Sequence, residues 1–241
     1  MIKLILSSII SLALSFVLGQ TSGPFYGPAV GNSPAIHIQS CTGTTSTGSS
    51  SSISATCSSI GAGHLLWITI ISGNSVSPSS TTLSGDSGTL HADLTNLSYN
   101  SGVEHLSTLY VLSTSGGGTT LTFNFGAGSI GYGLVMIDEV SCPVVATFDT
   151  SDAGNTGSGT AITSNNITPA GPGELIVGGM GTGSNTRTQT ANSPFTLGAN
   201  LANYSAGNEY LLQQIPGAAI DAAFTLSGSS SWGAHVAAFH C

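Results

Sequence analysis

No long segment of this chain repeats apolar residues at the three-and-four spacing of a helix, and glycine interrupts almost every window in which such a spacing could extend. What recurs is the short run rich in β-branched or aromatic residues: HLLWITII (64–71), LSTLYVL (106–112), TTLTFNF (119–125), GLVMIDEV (133–140), ELIVGGM (174–180), EYLLQQI (209–215), AAFTL (222–226) and AHVAAFH (234–240). Turn-forming clusters, SGDSG, STSGGG, TPAGPG and LSGSSS, stand between them. Short strands separated by such clusters predict an all-β, jelly-roll-like β-sandwich, not a parallel α/β sheet. The mean hydropathy of +0.31 is high enough for the chain to bury a core despite 33 glycines.

Two echoes divide the chain. GYGLVMIDEVSC (131–142) returns as WGAHVAAFHC (232–241), each preceded by a Phe-containing segment, TLTFNFGAGSI or DAAFTLSGSSS. SIGAGHLLWITIISG (59–73) returns as TPAGPGELIVGGMGTG (168–183). The order turn, buried strand, variable middle, Phe strand, closing strand, Cys therefore occurs twice, which predicts pseudo-repeats over 35–142 and 143–241 packed into one sandwich domain, 35–241.

Residues 1–19 read as a secretory signal: Lys3, an apolar run from Leu4 to Leu18, and small residues before a cut ahead of Gln20. The run is too short and too serine-rich for a spanning helix, so no membrane insertion is expected after cleavage. Residues 20–34, QTSGPFYGPAVGNSP, have no periodicity and form an expected extended arm, with Phe25 and Tyr26 available to dock on a sheet edge.

Export makes Cys41, Cys57, Cys142 and Cys241 expected disulfide partners. Three pairings are possible. Their places at the ends of strand-like segments favour Cys41–Cys57 and Cys142–Cys241, a disulfide-stapled fold. Zinc spacing of the C-x-x-C type is absent.

Lys3 and Arg187 are the whole basic inventory, against ten acids and a net charge of −8. A nucleic-acid partner needs a cluster of Lys and Arg, so that class is excluded, and anionic lipid attraction fails on the same ground. With few ion pairs to lose, the protein is expected to tolerate acid.

These segments resemble a widespread, poorly characterised type of bacterial secreted β-sandwich module of unknown function. The likeness is carried by GAGHLLWITII, GGGTTLTFNF, VMIDEVSC, PGELIVGG and AAFTLSGSSSWGAHVAAFHC. Members of that type carry an acidic-aromatic-Ser-Gly run where this chain has Glu139, Val140, Ser141 and Cys142. The resemblance implies a jelly-roll-like sandwich and transfers no catalytic residue.

Candidate sites are sparse. Asp138 and Glu139 are adjacent, and strand alternation sends them to opposite faces, one expected to be solvated and the other hydrogen-bonded. Paired-acid hydrolysis needs a second carboxylate across the substrate, for which Glu104 or Glu209 is available. The histidines at 37, 64, 91, 105, 235 and 240 lack metal-ligand spacing, and no G-x-S-x-G stands in a nucleophile-elbow context. Asp86, Asp149, Asp152 and Asn155 lie in oxygen-rich loops, which makes Asp149 and Asp152 calcium candidates beside the ordinary turn role. Tyr99, Tyr204 and Tyr210 are the candidate sugar platforms, and Asn96, Asn166 and Asn203 head glycosylation sequons. The expectation is a non-enzymatic extracellular structural or adhesive protein, with no cofactor, whose partners are copies of itself or glycans. The alternative is a secreted polysaccharide hydrolase using Glu104 and Glu139.

Overall fold

The structure is a computed structural model, described here for residues 35–45, 50–74, 82–125, 130–171, 173–214 and 217–241. The expected signal, the arm and its Phe25 and Tyr26 lie outside the described residues.

The described chain is an all-β, sandwich-like fold of two antiparallel sheets, each drawn from one half of the sequence. The first contains β1 (Ile36–Thr45), β2 (Ser52–Thr56), β3 (Leu65–Ser72), β4 (Thr82–Ser84), β5 (Leu90–Tyr99), β6 (Glu104–Val111), β7 (Thr120–Asn124) and β8 (Gly133–Ser141), in the spatial order β4-β7-β2-β1-β8-β3-β6-β5. The second contains β9 (Thr147–Ser151), β10 (Asn155–Thr163), β11 (Glu174–Thr182), β12 (Gln189–Ala191), β13 (Thr196–Leu201), β14 (Ala206–Gln214) and β15 (Ala223–His240), in the order β10-β15-β11-β14-β13, with β9 and β12 also paired to β15.

The two connectivities correspond over most of their strands, although β1 pairs with β2 whereas β9 and β10 pair with β15. In each half the Gly-bracketed strand (β3, β11) lies between the closing strand (β8, β15) and the strand β6 or β14. The short strand β4 pairs with the Phe strand β7 as β12 pairs with the first part of β15. A 3-10 turn joins β5 to β6 at Asn100–Gly102 and β13 to β14 at Ala202–Tyr204. A further difference is that the Phe strand and the closing strand, separate in the first half, are one continuous strand in the second.

Each sheet buries both faces of its central strands. Leu66, Ile68 and Ile70 of β3 share a core with Ile53 and Ala55 of β2 and Leu121 and Phe123 of β7. Strands that far apart in the sheet meet only if the sheet curls over this cluster. Sheet two encloses its own core around Ile176, Met180, Phe224, Trp232 and Val236. A third layer lies between the sheets, where Leu65, Trp67 and Val140 meet Leu175, Val177 and Phe239, and Ile71, Leu106 and Met136 meet Ala199 and Ala206. This explains why β3, β8 and β11 read as continuous apolar runs without alternation: every residue of β3 is buried.

Both expected disulfides are present, Cys41–Cys57 and Cys142–Cys241. The second joins the residues that follow the two closing strands. Disulfides place the folded chain in an oxidising environment, and among the described residues no helix is long and apolar enough to cross a membrane.

Candidate functional site

The acids are concentrated at the ends of the sheets and in the layer between them. Asp138 and Glu139 do point to opposite faces, but neither is solvated; both are almost completely buried. Burial is tolerated because each carboxylate is surrounded by donors. Asp138 reaches across the sandwich. Its oxygens accept the Ala199 N–H at 2.9 Å and the Asn208 side-chain amide at 2.9 Å from sheet two, and the Ser40 hydroxyl at 2.6 Å from β1. His37 Nε2 lies 2.8 Å from the same carboxylate, with its ring stacked on Tyr210 at 4.3 Å. Ser40, His37 and Asp138 thus meet, but hydroxyl and carboxylate address the same imidazole nitrogen. A catalytic relay needs the acid on one ring nitrogen and the serine on the other, so the cluster is a tie between layers.

Glu139 faces the opposite way and holds the turn before β3. It accepts the Gly61 N–H at 2.7 Å, the Gln39 amide at 2.5 Å and pairs with His64 Nδ1 at 2.5 Å. The equivalent turn before β11 repeats the chemistry with the partners exchanged. The Gly171 N–H donates to the buried Glu174, whose Oε1 lies 3.0 Å from His240 Nδ1 at the end of β15. Asp149 of β9 accepts the Ala170 N–H at 2.9 Å and stands 3.7 Å from His240 Nε2. A Cβ on Gly171 would come within 2.9 Å of the His240 ring and 2.8 Å of Glu174, so the glycine is what lets the turn close over the pair.

The other interlayer cluster centres on His235, fully buried on β15. Its Nδ1 lies 3.1 Å from the Thr108 hydroxyl of sheet one, and Nε2 lies 3.4 Å from Asp152 and 3.6 Å from Asp93. Burial lowers its pKa, opposed by the two carboxylates, while burial raises that of Asp93. Both shifts favour neutral groups.

Several expected sites change. Glu104 and Glu139 are not brought together. Glu139 pairs opposite Leu66, and Glu104 lies beyond the Ser72–His105 pair at the other end of β3, about 20 Å away along the strands, whereas hydrolytic pairs stand roughly 5–9.5 Å apart. Glu104 instead accepts the Tyr132 hydroxyl, and burial raises its pKa. Tyr99 is buried, its ring filling the space above Gly233, and offers no platform. Tyr204 packs partly against the layer core and Tyr210 is covered on one face by His37. The calcium pair is not formed: Asp152 spends its oxygens on the N–H groups of Asn165 and Val236, both at 2.9 Å, away from the Asp149 group. Asp86 likewise accepts backbone N–H groups, from Gly88, Ser115 and Gly116. Of the sequon residues, Asn166 and Asn203 are exposed and Asn96 is half-buried. Four of the six histidines stand within 4.0 Å of an acid, contacts that the sequence alone does not reveal.

A row of rings that sequence reasoning missed runs from His91 over Tyr110 and Phe148 to Phe239, with Tyr110 and Phe148 parallel at 5.5 Å. It draws on β5 and β6 of one sheet and β9 and β15 of the other, so only the fold assembles it. Comparison of the chain with family models, with curated proteins and with solved structures returned no match.

Proposed function

We propose that this chain is a secreted, non-enzymatic β-sandwich that serves as a structural or adhesive subunit outside the cell, with copies of itself as the first partner and extracellular glycans as the second. The observation that carries this reading is the use of the acids. Asp86, Asp138, Glu139 and Asp152 each hold two or more donors of the protein itself, which favours fastening over reaction chemistry. A surface with almost no basic residue, two disulfides and two internally closed cores fits a part that must persist under extracellular conditions.

Self-association finds support at one end of sheet one. Ile36 and Ile38 of β1 and Val144 and Val145 after β8 are exposed, Val145 by 67%, and Ile36 pairs with Ser141 three residues before Val144. The sheet edges favour this route over strand addition. β5 and β13 carry register irregularities and β4 is three residues long, features that blunt an edge. The test is sedimentation and negative-stain electron microscopy of the secreted protein across a concentration series. Discrete oligomers or filaments, lost in an Ile36→Ser/Val145→Ser variant, are the expected result. A strictly monomeric protein that binds polysaccharide would leave the adhesive reading, and release of reducing sugar would replace both with the hydrolase.

A further inference from the structure

We propose that Asp149, Glu174 and His240 form a binding site for one divalent transition-metal ion of the zinc type. One ligand atom from each of the three lies within 4.8 Å of the others. They come from three places in the sequence, β9, the start of β11 and the end of β15, beside the Cys142–Cys241 bond, so the fold has brought them together across up to 91 residues of chain. A tetrahedral zinc site holds its ligand atoms roughly 3.4 Å apart, given metal–ligand distances of about 2.1 Å. His240 Nε2 and Asp149 Oδ1, 3.7 Å apart, are already close to that spacing. The His240 side chain is 44% exposed, and its exposed side leaves room for water to complete the coordination.

A second observation points to a cation independently of the clustering. The Glu174 side chain is fully buried, and its Oε2 has no hydrogen-bond donor. Asp138 and Glu139 have donors on both oxygens, whereas Glu209 shares an orphaned Oε2 with Glu174 but, among the described residues, has no histidine hydrogen-bonded beside it. An unsatisfied carboxylate oxygen in a buried position is costly, and here its neighbours are a second carboxylate and an imidazole. The equivalent turn in the first half makes the contrast: Glu139 and His64 share the same Gly-N–H motif but have a neutral amide, Gln39, where the second half has Asp149. The donor set selects the ion. An imidazole nitrogen with carboxylate oxygens suits zinc and its first-row neighbours, while calcium takes oxygen ligands throughout.

The site stands independently of the structural role proposed above. Metal-stripped protein is titrated with Zn²⁺ by calorimetry, with thermal unfolding followed in parallel, and with Co²⁺ as a visible-absorption probe. One saturable equivalent, a higher unfolding temperature with Zn²⁺ but not with Ca²⁺, and Co²⁺ d–d bands are expected. His240→Ala and Asp149→Asn should each abolish them, while His64→Ala should bind as the wild type does. Circular dichroism checks that the variants fold, and Asp149→Asn, on the partly exposed β9, serves if His240→Ala does not. Absence of saturable binding, binding that survives both substitutions, or an equal response to Ca²⁺ would overturn the proposal and leave the trio as an imidazole bridging two acids.

Discussion

A chain with ten acids and two basic residues cannot balance its buried carboxylates with Lys or Arg. It balances them with backbone N–H groups and histidine. Asp138 is the clearest case, because its donors come from both sheets; Asp138→Ala should lower the unfolding free energy by about 3 kcal/mol or more, since Asn208 and the Ala199 N–H lose their acceptor inside the molecule. Urea unfolding measures this, and a loss below about 1 kcal/mol would mean that the tie is incidental. Glu209 has a different fate. Its Oε1 accepts the Ala223 N–H at 2.7 Å, but Oε2 has no donor, and burial pushes its pKa up to about 9. Between pH 4.5 and 9 the folded state therefore holds a proton that the unfolded chain has released, and stability from this group falls as pH rises through that window. By pH 7 the loss is about 3 kcal/mol, at 1.36 kcal/mol per unit. Glu209→Gln should recover much of it at pH 7–8 and change little at pH 4, as urea midpoints at the two pH values will reveal. His235 acts in the opposite sense. Its lowered pKa keeps it neutral when folded, so its contribution is lost as pH falls through the ordinary histidine range.

Glycine sets how closely elements approach. A Cβ on Gly43 of β1 would stand 1.8 Å from the Ser54 carbonyl oxygen of β2, a backbone atom that cannot swing aside, whereas Gly63 has open space and only a φ of +77° to satisfy. Gly43→Ala should therefore cost more than Gly63→Ala, for which about 1 kcal/mol is expected; thermal unfolding of the pair decides, and the reverse order would show that β1 and β2 separate easily. The strands most readily read from sequence, β3, β6, β8 and β11, are those whose apolar runs are buried on both faces. β5 escaped because register irregularities at Ala92/Leu94 and Leu94/Leu97 place Leu90, Leu94 and Leu97 at spacings of four and three, so no period of two survives. β10, NTGSGTAIT, buries only Ile162 completely and has the composition of a turn. LSGSSS was expected to be a turn and lies within β15, where Ser230 and Ser231 pair with Gly159 and Ser158 of β10. The site was less legible than the fold. Asp149 stood out among loop oxygens, but Glu174 and His240 lie in strand runs 66 residues apart, and only the β11–β15 pairing unites them.

At the scale of the molecule, one connectivity is used twice, and the two copies pack through the faces that carry Trp67, Asp138, Val177 and His235. The layer between them is asymmetric where it is polar. By strand register Asp138, opposite Trp67, corresponds to Ala237, opposite Val177, and His235 corresponds to Met136. Each copy thus contributes a buried polar group that the other lacks. The disulfides act at different ranges: Cys142–Cys241 closes a separation of 99 residues and Cys41–Cys57 one of 16. On chain-entropy grounds, replacing the first pair by serine should cost about 4–5 kcal/mol and the second about 3 kcal/mol, read from chemical unfolding of each double variant. An equal or reversed order would place the main constraint within the first copy. The claim that two copies of one unit stand back to back, joined after their equivalent closing strands, is tested most directly by mapping the disulfides of the native protein. Trypsin has too few sites, so digestion without reduction uses a protease that cuts beside aromatic and leucine residues, followed by mass spectrometry. A crosslinked pair of peptides joining Cys142 to Cys241, with Cys41 and Cys57 bonded inside a single peptide because no aromatic or leucine residue lies between them, is the predicted result; the Cys41/Cys57 peptide found joined to Cys142 or Cys241 would contradict it.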